Sequence, residues 1–130
     1  MRGGRVGSRE DEDEWFRFVS AGVRLRHLGN CNLRLETFDS AISYVGSLPN
    51  GSFDFVIVDC HEPQLGGRLR CVEAAVEKVR RGGWLVLDDS DRLAYRYLPA
   101  VISTWPVRRF VGFRPRPLVA VETSIFRRPN

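Results

Sequence analysis

The chain reads as an α/β domain in which apolar parallel strands are joined through helices and the C-terminal end closes in an antiparallel hairpin. Three observations carry that expectation. Phe53-Asp54-Phe55-Val56-Ile57-Val58 is a nearly continuous apolar run ending at Asp59, as a strand buried on both faces of a parallel sheet requires. Trp84-Leu85-Val86-Leu87 is a second such run, ending at Asp88-Asp89. Between them Leu69, Val72, Val76 and Val79 recur at helical spacing, and Gly82-Gly83 suits a helix C-cap and turn. Strand, helix, strand in that order is a βαβ unit, whose crossover is right-handed by rule.

The remaining elements follow from the N-terminus. Asp11 to Ala21 has helical spacing, with Trp15, Phe16 and Val19 on one side. Asn32 to Glu36 reads as a strand, and Asp39-Ser40 suits the N-cap of a short helix through Ile42 and Val45. Pro49-Asn50-Gly51-Ser52 is a turn signal before the Phe53 strand. Downstream, Asp91 to Trp105 carries Leu98, Val101, Ile102 and Trp105 in helical register, with Pro99 dividing the segment or opening its second half. Val107–Phe113 and Leu118–Phe126 read as strands, and the short Arg114-Pro115-Arg116-Pro117 connection makes them antiparallel.

A length of 130 residues, with 43% apolar and 28% charged residues, predicts one globular domain, 1–130, and excludes wholesale disorder. No apolar run approaches the roughly 20 residues of a membrane span. The opening MRGGRVGSREDEDEW has no apolar signal region, so the expected location is the cytoplasm. The net charge is +4, and every basic residue except Lys78 is an arginine. Arg9 to Glu14 is nearly all acidic, whereas Arg108, Arg109, Arg114, Arg116, Arg127 and Arg128 gather near the C-terminus beside Phe110, Phe113 and Phe126. Such a cluster can meet nucleic-acid phosphates and stack on bases, but a solvated arginine face on edge strands is the favoured reading. Cys31, Cys60 and Cys71 have no CxxC spacing, which excludes a disulfide framework or zinc site and predicts three reduced, mostly buried thiols.

In an open α/β sheet, ligands bind outside the carboxyl ends of the strands, where Asp59, Asp88 and Asp89 fall. Two carboxylates within about 4 Å repel by roughly 4 kcal/mol at an effective dielectric near 20, so such a cluster needs a cation, a donor or a raised pKa. Mg²⁺ suits an all-oxygen set. Asp88, Asp89, Ser90 and Asp91 are also good helix N-caps, and spacing alone supports both readings. Neither GxGxxG nor a Walker loop is present in the glycine pairs Gly3-Gly4, Gly66-Gly67 and Gly82-Gly83.

Taken together, these segments resemble the later part of a class I S-adenosylmethionine-dependent methyltransferase. FDFVIVDC (53–60) is similar to that family's fourth strand, with its terminal functional Asp. RRGGWLVLDDSDR (80–92) resembles the Gly-Gly turn, fifth strand and following acidic stretch of one subgroup, and VETSIF (121–126) its last strand. RVGSREDEDEWF (5–16) resembles the second strand and following helix, which makes Glu10 the acid expected to hold the cofactor ribose. Phe38, Asp39 and Ser40 match the loop expected to hold adenine, and Asp59 is implied as a further cofactor contact. The resemblance implies a Rossmann-like sheet of order 3-2-1-4-5-7-6 with an antiparallel C-terminal hairpin.

The family's first strand, glycine-rich loop and first helix would precede residue 5, where only MRGG stands. The expectation is therefore an N-terminally truncated fold, from a shortened or misassigned start. A non-catalytic remnant and a half completed by another chain are the alternative accounts. Loss of a central strand would leave the Phe53–Val58 strand with a bare apolar edge, open to a completing chain or a second copy. By similarity to metal-dependent O-methyltransferases, Asp59, Asp88 and Asp89 are implied as Mg²⁺ ligands, the ion lowering the pKa of a hydroxyl on a small-molecule or other methyl acceptor. His61, Arg92 and Tyr95 are expected on loops facing the same crevice, with Asp59 in the catalytic set. Two other functions stay open: an interaction module without cofactor affinity, and an arginine-rich nucleic-acid-binding domain, with nucleic acid the less expected partner.

Overall fold

The computed structural model describes residues 4–60, 66–115 and 118–130. The chain divides into two compact units, Met1–Ser43 and Tyr44–Asn130.

In the first unit β1 (Val6–Glu10) and β2 (Cys31–Leu35) pair in parallel, in register from Val6–Cys31 to Glu10–Leu35. Helix α1 (Asp13–Leu25) connects them. It starts two residues later than expected and runs four further, with Asp13 and Glu14 in its first turn and Arg24 in its last, a charge order that complements the helix dipole. Phe16, Val19 and Val23 form its half-buried stripe, whereas Trp15, expected on that side, is exposed and stacks edge-on against Phe18 at 5.8 Å. Helix α2 (Phe38–Ser47) is capped by Thr37 rather than by Asp39-Ser40: the Thr37 hydroxyl accepts from the Ser40 amide at 3.3 Å. The threonine stands three residues before that amide, the spacing that a capping side chain can reach.

The second unit is a four-stranded sheet of order β3-β4-β6-β5, built from β3 (Phe53–Val58), β4 (Val79–Leu87), β5 (Val107–Pro115) and β6 (Leu118–Arg127). β3 and β4 are parallel and joined through α3 (Gly67–Val76), the βαβ unit read from the sequence. β6 runs antiparallel to both β4 and β5, so the closing hairpin inserts its last strand between them. Val72, Val76, Val79, Leu85, Leu87, Ile102 and Phe126 anchor one buried core.

Several expectations change. β3 is not buried on both faces: Val56 and Val58 turn to the core, while Phe55 and Ile57 are exposed. Among the described residues β3 pairs with β4 alone. α3 stops at Val76, so Val79 belongs to β4, and Gly82-Gly83 lies inside that strand instead of capping the helix. The register slips there, from Phe53–Val79 to Phe55–Trp84. Gly82 has φ +71, and a Cβ on Gly83 would lie 2.9 Å from the carbonyl oxygens of Arg80 and Asp54. The pair is used for a positive φ and a close backbone approach.

The segment from Asp91 to Trp105 is a short 3₁₀ turn (Leu93–Tyr97) and α4 (Ala100–Ser103), divided at Pro99. Leu98 is extended, as a residue preceding proline favours. Ile102 and Trp105 reach the core, but Val101 is exposed. Cys31, Cys60 and Cys71 form no disulfide and are half-buried rather than mostly buried. Arg116 and Pro117 of the hairpin connection lie outside the described residues.

Candidate functional site

In the second unit the carboxyl ends of β3 and β4 carry Asp59, Asp88 and Asp89, as the strand boundaries require. Arg68, in the first turn of α3, joins them. Its side chain is only 8% exposed and its Nη2 lies 3.1 Å from Asp59 Oδ1. Nη1 lies 3.6 Å from Asp89 Oδ2 and donates to the Asp88 carbonyl at 2.8 Å, and Nε donates to the Cys60 carbonyl at 2.9 Å. One guanidinium thus ties both strand ends to the helix between them, using the fixed fork of donors that arginine provides.

Asp89 is the most enclosed of the three acids, its side chain 4% exposed, at a backbone φ of +50. Its carboxylate accepts from Arg114 Nη2 at 2.7 and 2.9 Å and from Arg92 Nη2. Burial pushes its pKa up, but the hydrogen bonds and charges of Arg114 and Arg92 override that and hold it below the ordinary carboxylate value. Asp88 Oδ1 accepts from the Thr123 hydroxyl of β6 at 2.7 Å. Asp59 is 57% exposed. Its pKa is raised, first by partial desolvation and then by the Asp88 charge, against the lowering effect of Arg68; Asp89 and a hydrogen bond with Asp88 raise it further.

Nearby, the Ser90 hydroxyl meets Glu122 Oε1 at 3.0 Å and Ser124 Oγ at 2.8 Å, and Asp91 Oδ1 accepts from the Glu122 amide at 3.0 Å. The loop after β4 is thereby held against β6. The N-cap of the 3₁₀ turn that follows is Arg92, not Asp88, Asp89, Ser90 or Asp91, and it makes no side-chain cap bond. Of the expected crevice residues, Arg92 takes its place in the Asp89 cluster, whereas Tyr95 is buried in the hydrophobic core. His61 lies outside the described residues.

Mg²⁺ does not fit this donor set. The Asp89 carboxylate is committed to guanidinium groups, and a cation would have to displace or sit beside three of them. Among the described residues no group of three or more His, Cys, Asp or Glu side chains is placed to hold a metal. The repulsion expected among the acids is offset by Arg68, Arg92 and Arg114.

In the first unit Glu10 is the last residue of β1, half-buried, with its Oε1 accepting from the Ser8 hydroxyl at 2.7 Å. Phe38, Asp39 and Ser40 open α2, and the Ser40 hydroxyl meets Glu36 Oε2 at 3.3 Å. A carboxylate at a strand end is the acceptor a ribose diol asks for, since it accepts from both hydroxyls.

Sequence reasoning missed Arg68, Arg114 as a partner of Asp89, and Thr123. A signal existed for Arg68. The first turn of α3 holds no acidic residue, and a cation at a helix N-terminus is locally unfavourable unless a carboxylate answers it.

In the second unit the β3-α3-β4 crossover and the final strand inserted antiparallel between β4 and β5 give a Rossmann-like methyltransferase fold. Solved structures of methyltransferases share it. The O-methyltransferase from Bacillus cereus in complex with SAH superposes with a TM-score of 0.73 at 14% identity, over 97% of this chain and 64% of its own. An O-methyltransferase from Streptomyces achromogenes involved in tomaymycin synthesis, in complex with SAM, gives 0.73 at 10% identity, over 100% of this chain and 64% of its own. An rRNA methylase from Streptococcus thermophilus gives 0.67 at 11%, over 97% and 74%. The chain thus spans about 64% of the length of the two O-methyltransferases. No protein-family model and no curated protein matches it in sequence. No helix among the described residues is long and apolar enough to cross a membrane.

Proposed function

We propose that the chain belongs to an S-adenosylmethionine-dependent methyltransferase that transfers the methyl group to an acceptor hydroxyl without a metal. The observation that carries this reading is Asp59: an exposed carboxyl with a raised pKa at the carboxyl end of a parallel strand, in a fold shared with an O-methyltransferase in complex with SAH and another in complex with SAM. S-adenosylmethionine, when bound, supplies an electrophilic methyl carbon on a positively charged sulfur. Asp59 accepts the proton of the acceptor hydroxyl, a task for which a raised pKa is an advantage. Arg68 is the positioning residue that sets the Asp59 carboxyl against α3. Arg92, half-exposed beside Asp89, is proposed to contact the acceptor. Glu10 is proposed to accept from the ribose hydroxyls, and Phe38, Asp39 and Ser40 to hold adenine. Much of the rate comes from aligning oxygen, carbon and sulfur, which is a proximity effect.

Calorimetric titration with S-adenosylhomocysteine, with Mg²⁺ and with excess chelator, tests the reading. Micromolar binding, equal in both conditions and lost in Glu10→Ala, is the expected result. Absence of binding by the folded chain overturns it, and binding that needs Mg²⁺ overturns its metal-free form. A second reading is an interaction module that pairs through β3. It is favoured by the exposure of Phe55 and Ile57 on a strand with one described neighbour. That reading requires concentration-dependent association in sedimentation velocity and no cofactor affinity.

A further inference from the structure

Two cysteines far apart in role meet beside the carboxyl end of β3. Cys60 directly follows Asp59, and its carbonyl is held by Arg68 Nε at 2.9 Å. Cys71 lies three residues beyond Arg68 on α3, a spacing that keeps two side chains on one helix face. Their sulfurs are 3.2 Å apart, and both are half-buried thiols outside any disulfide. A disulfide bond is about 2.05 Å long, so closure asks the sulfurs to approach by only about 1.2 Å. The helix and the strand end are already held together by Arg68 through Asp59, the Cys60 carbonyl and the Asp88 carbonyl. The fold has therefore prepaid the entropy of bringing the two thiols together. The methyl-transfer reading uses neither of them.

We propose that Cys60 and Cys71 form a dithiol site that a small-molecule disulfide, such as oxidised glutathione, converts reversibly to an intramolecular disulfide. One cysteine thiolate attacks a sulfur of the small disulfide. A protein–small-molecule mixed disulfide forms, and the first small thiol leaves with a proton. The second cysteine, as thiolate, attacks the protein sulfur of that mixed disulfide, and the second small thiol leaves with the other proton. Two electrons pass from the protein to the small disulfide, and two thiol protons are carried off by the products. The new bond ties the residue after Asp59 to the helix that carries Arg68, so the two oxidation states differ at the point where Arg68 meets Asp59. The inference does not depend on the chain's being a methyltransferase.

The folded full chain is incubated with oxidised glutathione, quenched in acid, alkylated and analysed by mass spectrometry, with the same chain in urea as control. Trypsin separates the two cysteines, because it cuts after Arg68 and Arg70. The expected product carries a Cys60–Cys71 cross-linked peptide pair and alkylated Cys31, and it forms at least about tenfold faster in the folded chain than in urea. Cys60→Ser and Cys71→Ser each stop at the mixed disulfide, while Cys31→Ser behaves as wild type. Persistence of all three alkylatable thiols, a stable glutathione adduct on Cys60 or Cys71 of the native chain, or a cross-link to Cys31 overturns the proposal. So does an equal rate in urea.

Discussion

Arg68→Met is the sharpest test of how the strand ends are held. The substitution keeps the length and apolar stem of the side chain but removes donors to Asp59, Asp89, the Cys60 carbonyl and the Asp88 carbonyl. Arg68 is 8% exposed, so water replaces little of what is lost. Breaking a buried charged network from one side costs about 3–5 kcal/mol. A loss of 3 kcal/mol lowers the folded-to-unfolded ratio by roughly a hundredfold or more. Arg92→Ala is the matched control. Arg92 meets the same Asp89 but is 37% exposed, and Asp89 keeps Arg114 and Arg68, so the cost is about 1 kcal/mol or less. Urea unfolding followed by the fluorescence of buried Trp105 gives both values. Arg68→Lys, which keeps the charge but not the fork, falls between them. If Arg68→Met lies within about 1 kcal/mol of wild type, or Arg92→Ala costs as much, the network does not hold the strand ends as argued.

Other consequences are independent of that network's total strength. Asp59 has a folded pKa above its ordinary value of 3.8, so in the window above 3.8 the folded chain binds more protons than the unfolded one. Its contribution to stability is therefore greatest below that window and declines as pH rises through it. Asp59→Asn removes the decline, and the urea midpoint of the variant gains on wild type as pH rises; a constant difference between the two refutes this. Gly83→Ala places a Cβ 2.9 Å from the Arg80 and Asp54 carbonyl oxygens and from Val79 Cγ1. It should destabilise by about 1–3 kcal/mol in thermal unfolding, whereas alanine at Gly22, which meets nothing within 4 Å, should be neutral or stabilising.

The strand and helix types were legible because their causes are local. The apolar, aromatic and β-branched run Phe53–Val58 favours a strand from its own residues, and a connection as short as Arg114–Pro117 allows only an antiparallel return. The same locality misled the reading of Gly82-Gly83. Glycines after a helical pattern suggest a cap, yet these two serve a register slip against β3 that no neighbouring residue announces. Tyr95 was placed at the site because it follows the acidic loop, but a 3₁₀ turn carries it into the core.

By itself the sequence determined that parallel strands end in carboxylates and that a hairpin closes the sheet, since periodicity, turn length and strand ends are properties of consecutive residues. Only the tertiary structure decided what those carboxylates meet. Arg68 reaches the Asp88 carbonyl across 20 positions, and Arg114 reaches Asp89 across 25. Cys60 meets Cys71 because α3 folds back over the end of β3. Such contacts depend on the register and packing of segments remote in sequence, and it is these contacts that set the charge, the proton affinity and the thiol chemistry of the site.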